Sequence, residues 1–102
     1  MQEGRSFGAD TVGNARRFEI SMSQPVENVR GRAESNGFVV DIPGSLAMGG
    51  ARTISRNHPS VARSHILNHG TYSTLTVEFV AGQSPAYRVS GRGATLQIEI
   101  AR

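Results

Sequence analysis

The chain has 102 residues, 37% hydrophobic, with 12 glycines, 4 prolines, no tryptophan and no cysteine. That is one small domain, 1–102, with a thin core, which excludes a multidomain enzyme and makes a deep substrate cleft unexpected. The absence of cysteine excludes disulfides, a thiolate nucleophile and cysteine-held zinc or iron–sulfur centres. No apolar run approaches the roughly 20 residues that span a bilayer, and the opening MQEGRSFGADTVG carries no apolar signal-peptide core.

The net charge of +3 comes from 11 basic residues, all of them arginine. The plainer explanation is the codon bias of a GC-rich genome. The other is a surface suited to flat anionic groups, which guanidinium holds in a bidentate fork. The arginines are scattered and form no basic block of the kind that steers nucleic acid.

In chain order, a short weak strand is expected over 5–9. Phe18, Ile20 and Met22 then alternate with Glu19, Ser21 and Ser23, the period of a strand with one wet face. Gln24-Pro25 closes that strand, and Ser35-Asn36-Gly37 signals a hairpin turn. Phe38, Val40 and Ile42 resume the alternation and end at Pro43-Gly44. The segment Pro43–Ser60 is longer than an ordinary connection and reads as a crossover, its Leu46, Met48 and Ile54 packed over a sheet edge. A second weak strand is expected over 62–68, then Leu75, Val77 and Phe79, then Leu96, Ile98 and Ile100. Gly82 to Pro85 and Gly91-Arg92-Gly93 supply turns between them.

The second set of strands repeats the first. Phe18, Ile20 and Met22 fall on Leu75, Val77 and Phe79; Pro25 falls on Pro85, Val29 on Val89, and Phe38, Val40 and Ile42 on Leu96, Ile98 and Ile100. The chain therefore reads as an all-β domain built from a duplicated four-strand unit, with halves 5–42 and 62–100 and a crossover at 43–61.

Catalytic and metal chemistry find little footing. His65 and His69 stand four apart, but the surrounding SHILNHGTYS is not helical, and on a strand that spacing is about 13 Å, too far to grip one ion. His58, before Pro59, reads as a solvated turn residue. There is no G-x-S-x-G elbow and no phosphate loop. Glu19, Asp41, Glu78 and Glu99 all lie on the polar phase of their strands, solvated or paired across them. The expectation is no catalytic residue, no metal and no cofactor.

The polar phase carries the candidate binding residues. Arg30 and Arg32 alternate with Val29, Gly31 and Ala33, while Arg88 and Arg92 alternate with Tyr87, Val89 and Gly91. One reading pairs each arginine with a carboxylate on the next strand, worth about 0.2–1 kcal/mol. The other is an arginine-studded face for an extended anionic or hydroxyl-rich polymer, doubled by the repeat for avidity. Single-strand nucleic-acid binding is not expected, because only Tyr72 and Tyr87 stand apart from the core-phase phenylalanines.

Three segments, RFEISMSQPV (Arg17 to Val26), FVVDIPG (Phe38 to Gly44) and LQIEI (Leu96 to Ile100), together with the duplication, resemble AMIN domains over most of the chain. Two features depart from that pattern: Ser73-Thr74-Leu75 stands where a Thr-Arg pair often opens the strand, and Glu99 stands where Asp is usual. The resemblance implies a sandwich of two four-stranded sheets related by pseudo-twofold symmetry. It further implies a noncatalytic module that binds peptidoglycan in the periplasm and localises an attached amidase or type IV pilus secretin of a Gram-negative bacterium. A protein-interaction module serving the assembly of an envelope complex is the alternative.

Overall fold

The apolar phase of each alternating segment needs a dry partner, and two sheets laid face to face supply it. A computed structural model describes residues 6–101; the expected strand start at Arg5 and the ends of the expected domain, 1–5 and 102, lie outside them. The strands are β1 Ser6–Gly8, β2 Ala15–Ser21, β3 Arg30–Glu34, β4 Gly37–Pro43, β5 Val61–Asn68, β6 Tyr72–Phe79, β7 Tyr87–Arg92 and β8 Thr95–Ala101, with one helix, α1 Arg52–Asn57, inside the crossover. They form two antiparallel sheets, β1-β7-β8-β2 (the first sheet) and β3-β4-β6-β5 (the second). The domain is an all-β sandwich.

The expected register is the observed one. Phe18, Ile20, Met22, Val77, Phe79, Ile98 and Ile100 are all at most 8% exposed, while Glu19 and Glu78 point outward and are exposed. A four-ring cluster joins the sheets: Phe38 of β4 stacks on Tyr87 of β7 with centroids 4.0 Å apart, and Phe7 and Phe79 flank the pair.

The repeat survives in the pairing. Phe18 opposes Ile98 and Ile20 opposes Leu96; their repeat counterparts Leu75 and Val77 oppose Val40 and Phe38. Each half is shared between the sheets, since β1 and β2 pair in one sheet with β7 and β8, while β3 and β4 join β6 and β5 in the other. Two details differ from the sequence alignment. The β3–β4 hairpin pairs Arg30 with Asp41 and Glu34 with Gly37, and the β7–β8 hairpin pairs Arg88 with Glu99 and Arg92 with Thr95. Arg30 therefore matches Arg88, and Val29 falls on Tyr87 rather than on Val89, because the first half has two more residues between its proline and the matched arginine. Gly91 and Arg92 lie within β7, and only Gly93, at φ 59°, takes the turn conformation. The fourth strands break the symmetry: β1 adds beyond β7, whereas β5 adds beyond β6.

The two sides of the sandwich are closed differently. On one, β1 approaches β3, and the Phe7 ring fills the space a side chain at position 31 would need, which glycine leaves open. On the other, α1 is fastened to both sheets. Ser64 Oγ of β5 donates to the Ala51 carbonyl at 2.6 Å and accepts from the Ser55 N–H at 3.0 Å, and the Arg16 guanidinium of β2 donates to the Asn57 carbonyl. Ile54 is 1% exposed, as expected of a residue covering a sheet edge, and Leu46 is half-buried. Met48 overturns its expectation at 69% exposed. The early crossover is held by polar contacts instead: Ala47 bridges Met22, the Met48 N–H donates to the Ser21 carbonyl, and the Asn68 amide clasps Ala47 through both its polar atoms.

Candidate functional site

Strand alternation turns Arg30 and Arg32 outward on β3, at the rim of the second sheet. Arg32 lies 3.4 Å from Glu34 and 3.8 Å from Asp41, which sits on the neighbouring strand opposite Arg30. Both contacts are solvent-screened and contribute about 0–1 kcal/mol. From Asp41 a polar chain runs across the sheet. Its Oδ1 accepts from the Thr74 hydroxyl at 2.8 Å, and that hydroxyl lies 3.0 Å from His69 Nε2. With the hydroxyl proton engaged by Asp41, the imidazole is the donor in the second bond. The His69 ring then stacks on Tyr72, centroids 4.6 Å apart and planes 23° from parallel. Arg30, Asp41, Pro43, Thr71 and Tyr72 line an open depression of about 310 Å³.

The first sheet turns Arg88 and Arg92 outward from β7. Arg88 holds the chain beyond β1, donating from one guanidinium nitrogen to the carbonyls of Ala9 and Asp10 at 3.1 and 2.9 Å. Arg92 lies 3.4 Å from Gln97 Oε1, the Gln97 amide donates to Glu99 at 3.2 Å, and Glu99 lies 3.8 Å from Arg17. Arg88, Arg92, Gln97 and Glu99 surround a second shallow depression, of about 320 Å³, together with Ser6, Ser90 and Gly91. The four predicted arginines are thus brought together two by two, on opposite outer faces, and no one site gathers them all.

The hairpin register makes the faces comparable position by position. Arg30 and Asp41 correspond to Arg88 and Glu99, and Thr74 corresponds to Arg17. Pro43 and Tyr72, opposite each other in the second sheet, correspond to Ala101 and Ala15, which also oppose each other. The arginine–carboxylate frame is repeated, but the aromatic ring is not. At 39% exposed, Tyr72 is the large ring most open to solvent among the described residues.

His58 corrects a sequence reading. It is not solvated but 2% exposed, with Nε2 at 2.8 Å from the Ala101 carbonyl and Nδ1 accepting from the Ser60 N–H at 3.1 Å. A carbonyl only accepts, so Nε2 carries the proton, and the ring pins the end of the crossover to the end of β8. Gln97 is a second surprise, a polar-phase residue 4% exposed in the middle of its sheet, its amide engaged on both ends by Arg92 and Glu99. Burial holds the Tyr87 phenol above its ordinary value of 10.0.

Both faces suit a ligand that lies across strands and exchanges many weak polar contacts, since neither depression encloses its occupant. No family model matches the chain, and neither a curated protein nor a solved structure matches it.

Proposed function

We propose that this domain is a noncatalytic peptidoglycan-binding module that localises an attached envelope protein, an amidase or a pilus secretin, in the periplasm. The observation that carries the reading is the repetition of an arginine–carboxylate pair within a shallow, open depression on each outer face of the sandwich. A polymer of repeating sugars and short peptides offers hydroxyl, amide and carboxylate groups at regular intervals, and two modest faces on one rigid body gain from such repetition through effective concentration. The resemblance to AMIN domains points to the same ligand. In this reading Arg30, Arg32, Arg88 and Arg92 supply the donors.

Cosedimentation with purified sacculi tests it. The domain is expected to pellet weakly, at micromolar protein, and less so as salt rises, because exposed charges are screened within about 8–10 Å at physiological ionic strength. It is expected to release no soluble muropeptide. Failure to pellet at any salt concentration would favour the second reading, a protein-interaction module for envelope assembly. That reading draws on β3, which ends the second sheet with no strand paired beyond it among the described residues and so offers an edge for strand addition.

A further inference from the structure

We infer that Tyr72 is a stacking platform for a sugar ring of the glycan strand, and that glycan recognition belongs to the face of the second sheet alone. The inference rests on the peptidoglycan reading and narrows it from the polymer as a whole to its carbohydrate backbone.

Three observations carry it. The first is the posture of the ring. Tyr72 opens β6, its carbonyl accepts from the His69 N–H at 2.8 Å, and the His69 imidazole lies against it. His69 is itself held by Thr74, and Thr74 by Asp41. A ring fixed this way loses little freedom on binding, which is what makes an exposed aromatic an effective contact. His69 is not among the residues lining the depression, whereas Tyr72 is, so the imidazole backs the ring and the depression opens beside Arg30.

The second is the chemistry around it. The depression holds a carboxylate, Asp41, as well as a guanidinium, Arg30. A polyanion gains from the one and is repelled by the other. A pyranose presents an apolar C–H face to the ring while its hydroxyl and acetamido groups both donate and accept, so it can use both charged groups. The mixed lining therefore favours neutral N-acetylated sugar over the carboxylate-rich stem peptide.

The third is the comparison inside the molecule. The first sheet repeats the arginine and the carboxylate but has Ala15 at the position of Tyr72. With the frame present on both faces and the ring on one, glycan binding is expected to be one-sided.

The test uses two probes, intact sacculi and glycan strands stripped of stem peptides by a purified amidase, the lactyl carboxylate that each cut exposes being capped as a methylamide so that the strand is neutral. The parent domain is expected to pellet with sacculi and to bind the stripped strands comparably. Tyr72→Ala is expected to lose about tenfold in affinity for both probes. Tyr72→Phe, which keeps the ring, is expected to bind as the parent does, and His69→Ala, which removes the backing, to fall between. Thermal melting of each variant separates lost binding from lost fold, and Tyr72→Phe with His69→Ala carries the test should Tyr72→Ala melt early. Parent-like binding of sacculi by folded Tyr72→Ala and His69→Ala, or loss of parent binding when the stem peptides are removed, would overturn the platform and leave the peptidoglycan reading standing. A parent domain that binds neither probe would overturn both.

Discussion

The two outer faces of the sandwich begin from one plan and diverge where a ligand would notice. Both place an arginine opposite a carboxylate at the corresponding positions of corresponding hairpins. In the first sheet those groups also brace the protein: Arg88 holds backbone carbonyls, and Glu99 lies between Gln97 and Arg17. In the second, the carboxylate orders a threonine, a histidine and through them an exposed tyrosine. Duplication supplies two copies of a frame, and a few substitutions decide what each copy holds in place and which of them carries an exposed ring.

The largest expected effect tests whether the second face rests on a rigid floor. Phe38 is fully buried beneath it and stacked on Tyr87 across the sandwich, so Phe38→Ala is expected to cost about 3–5 kcal/mol in denaturant unfolding. A loss below about 1 kcal/mol would mean that the ring cluster does not couple the sheets. Next comes the structural assignment of the first face. Arg88→Ala removes a charged donor from two carbonyls and is expected to cost about 1–2 kcal/mol. Arg32→Ala, which breaks only exposed ion pairs, should cost under about 1 kcal/mol. Equal losses for the two would erase the contrast between the faces.

A smaller effect probes the contrast from the other direction. Ala15→Tyr builds a ring onto the first face without an imidazole behind it, and glycan-strand affinity is expected to rise about twofold to threefold, equivalent to about 0.4–0.7 kcal/mol. No gain in a variant that melts like the parent would argue that the backing of Tyr72 matters more than the ring. The smallest effect concerns Tyr87. Because burial raises its phenol above 10.0 in the folded state, the associated stability is intact below the unfolded value near 10 and is lost as pH climbs past it. Tyr87→Phe is expected to flatten that alkaline decline in the melting temperature, and an unchanged slope would sink the attribution.

What could be read in advance follows from what is local. Alternation marked β2, β4, β6 and β8 and their buried phases, because a one-residue slip would have turned Ile20 or Val77 into water, whereas β5, whose burial does not alternate, read only as a weak strand. The helix fell inside the expected crossover. Sheet membership was not legible, since nothing in β1 or β5 as a segment says which edge it will join. The fate of His58 was equally hidden. A histidine before a proline looks like a surface turn until the end of β8 is known to pass beside it. The candidate site shows the same division. Alternation alone turned Arg30 and Arg32 outward, whereas Asp41 reaches the local turn of His69, Tyr72 and Thr74 only because β4 and β6 pair at long range. The equivalence of Arg30 with Arg88 required the hairpin register, which the extra residues after Pro25 obscured.

The position of β8 has a consequence for how the chain matures. The last strand is an inner strand of the first sheet, bonded to β2 on one side and β7 on the other, and its register pairs residue 101 with residue 15. A nascent chain can form the β3–β4 and β5–β6 hairpins as they emerge, but β2 has no strand to pair with until β8 has left the ribosome. Folding of this sheet therefore waits for β8 to emerge, and a chain cut short before Thr95 would keep the apolar edges of β2 and β7 uncovered, as a target for proteases and chaperones rather than as a smaller version of the domain.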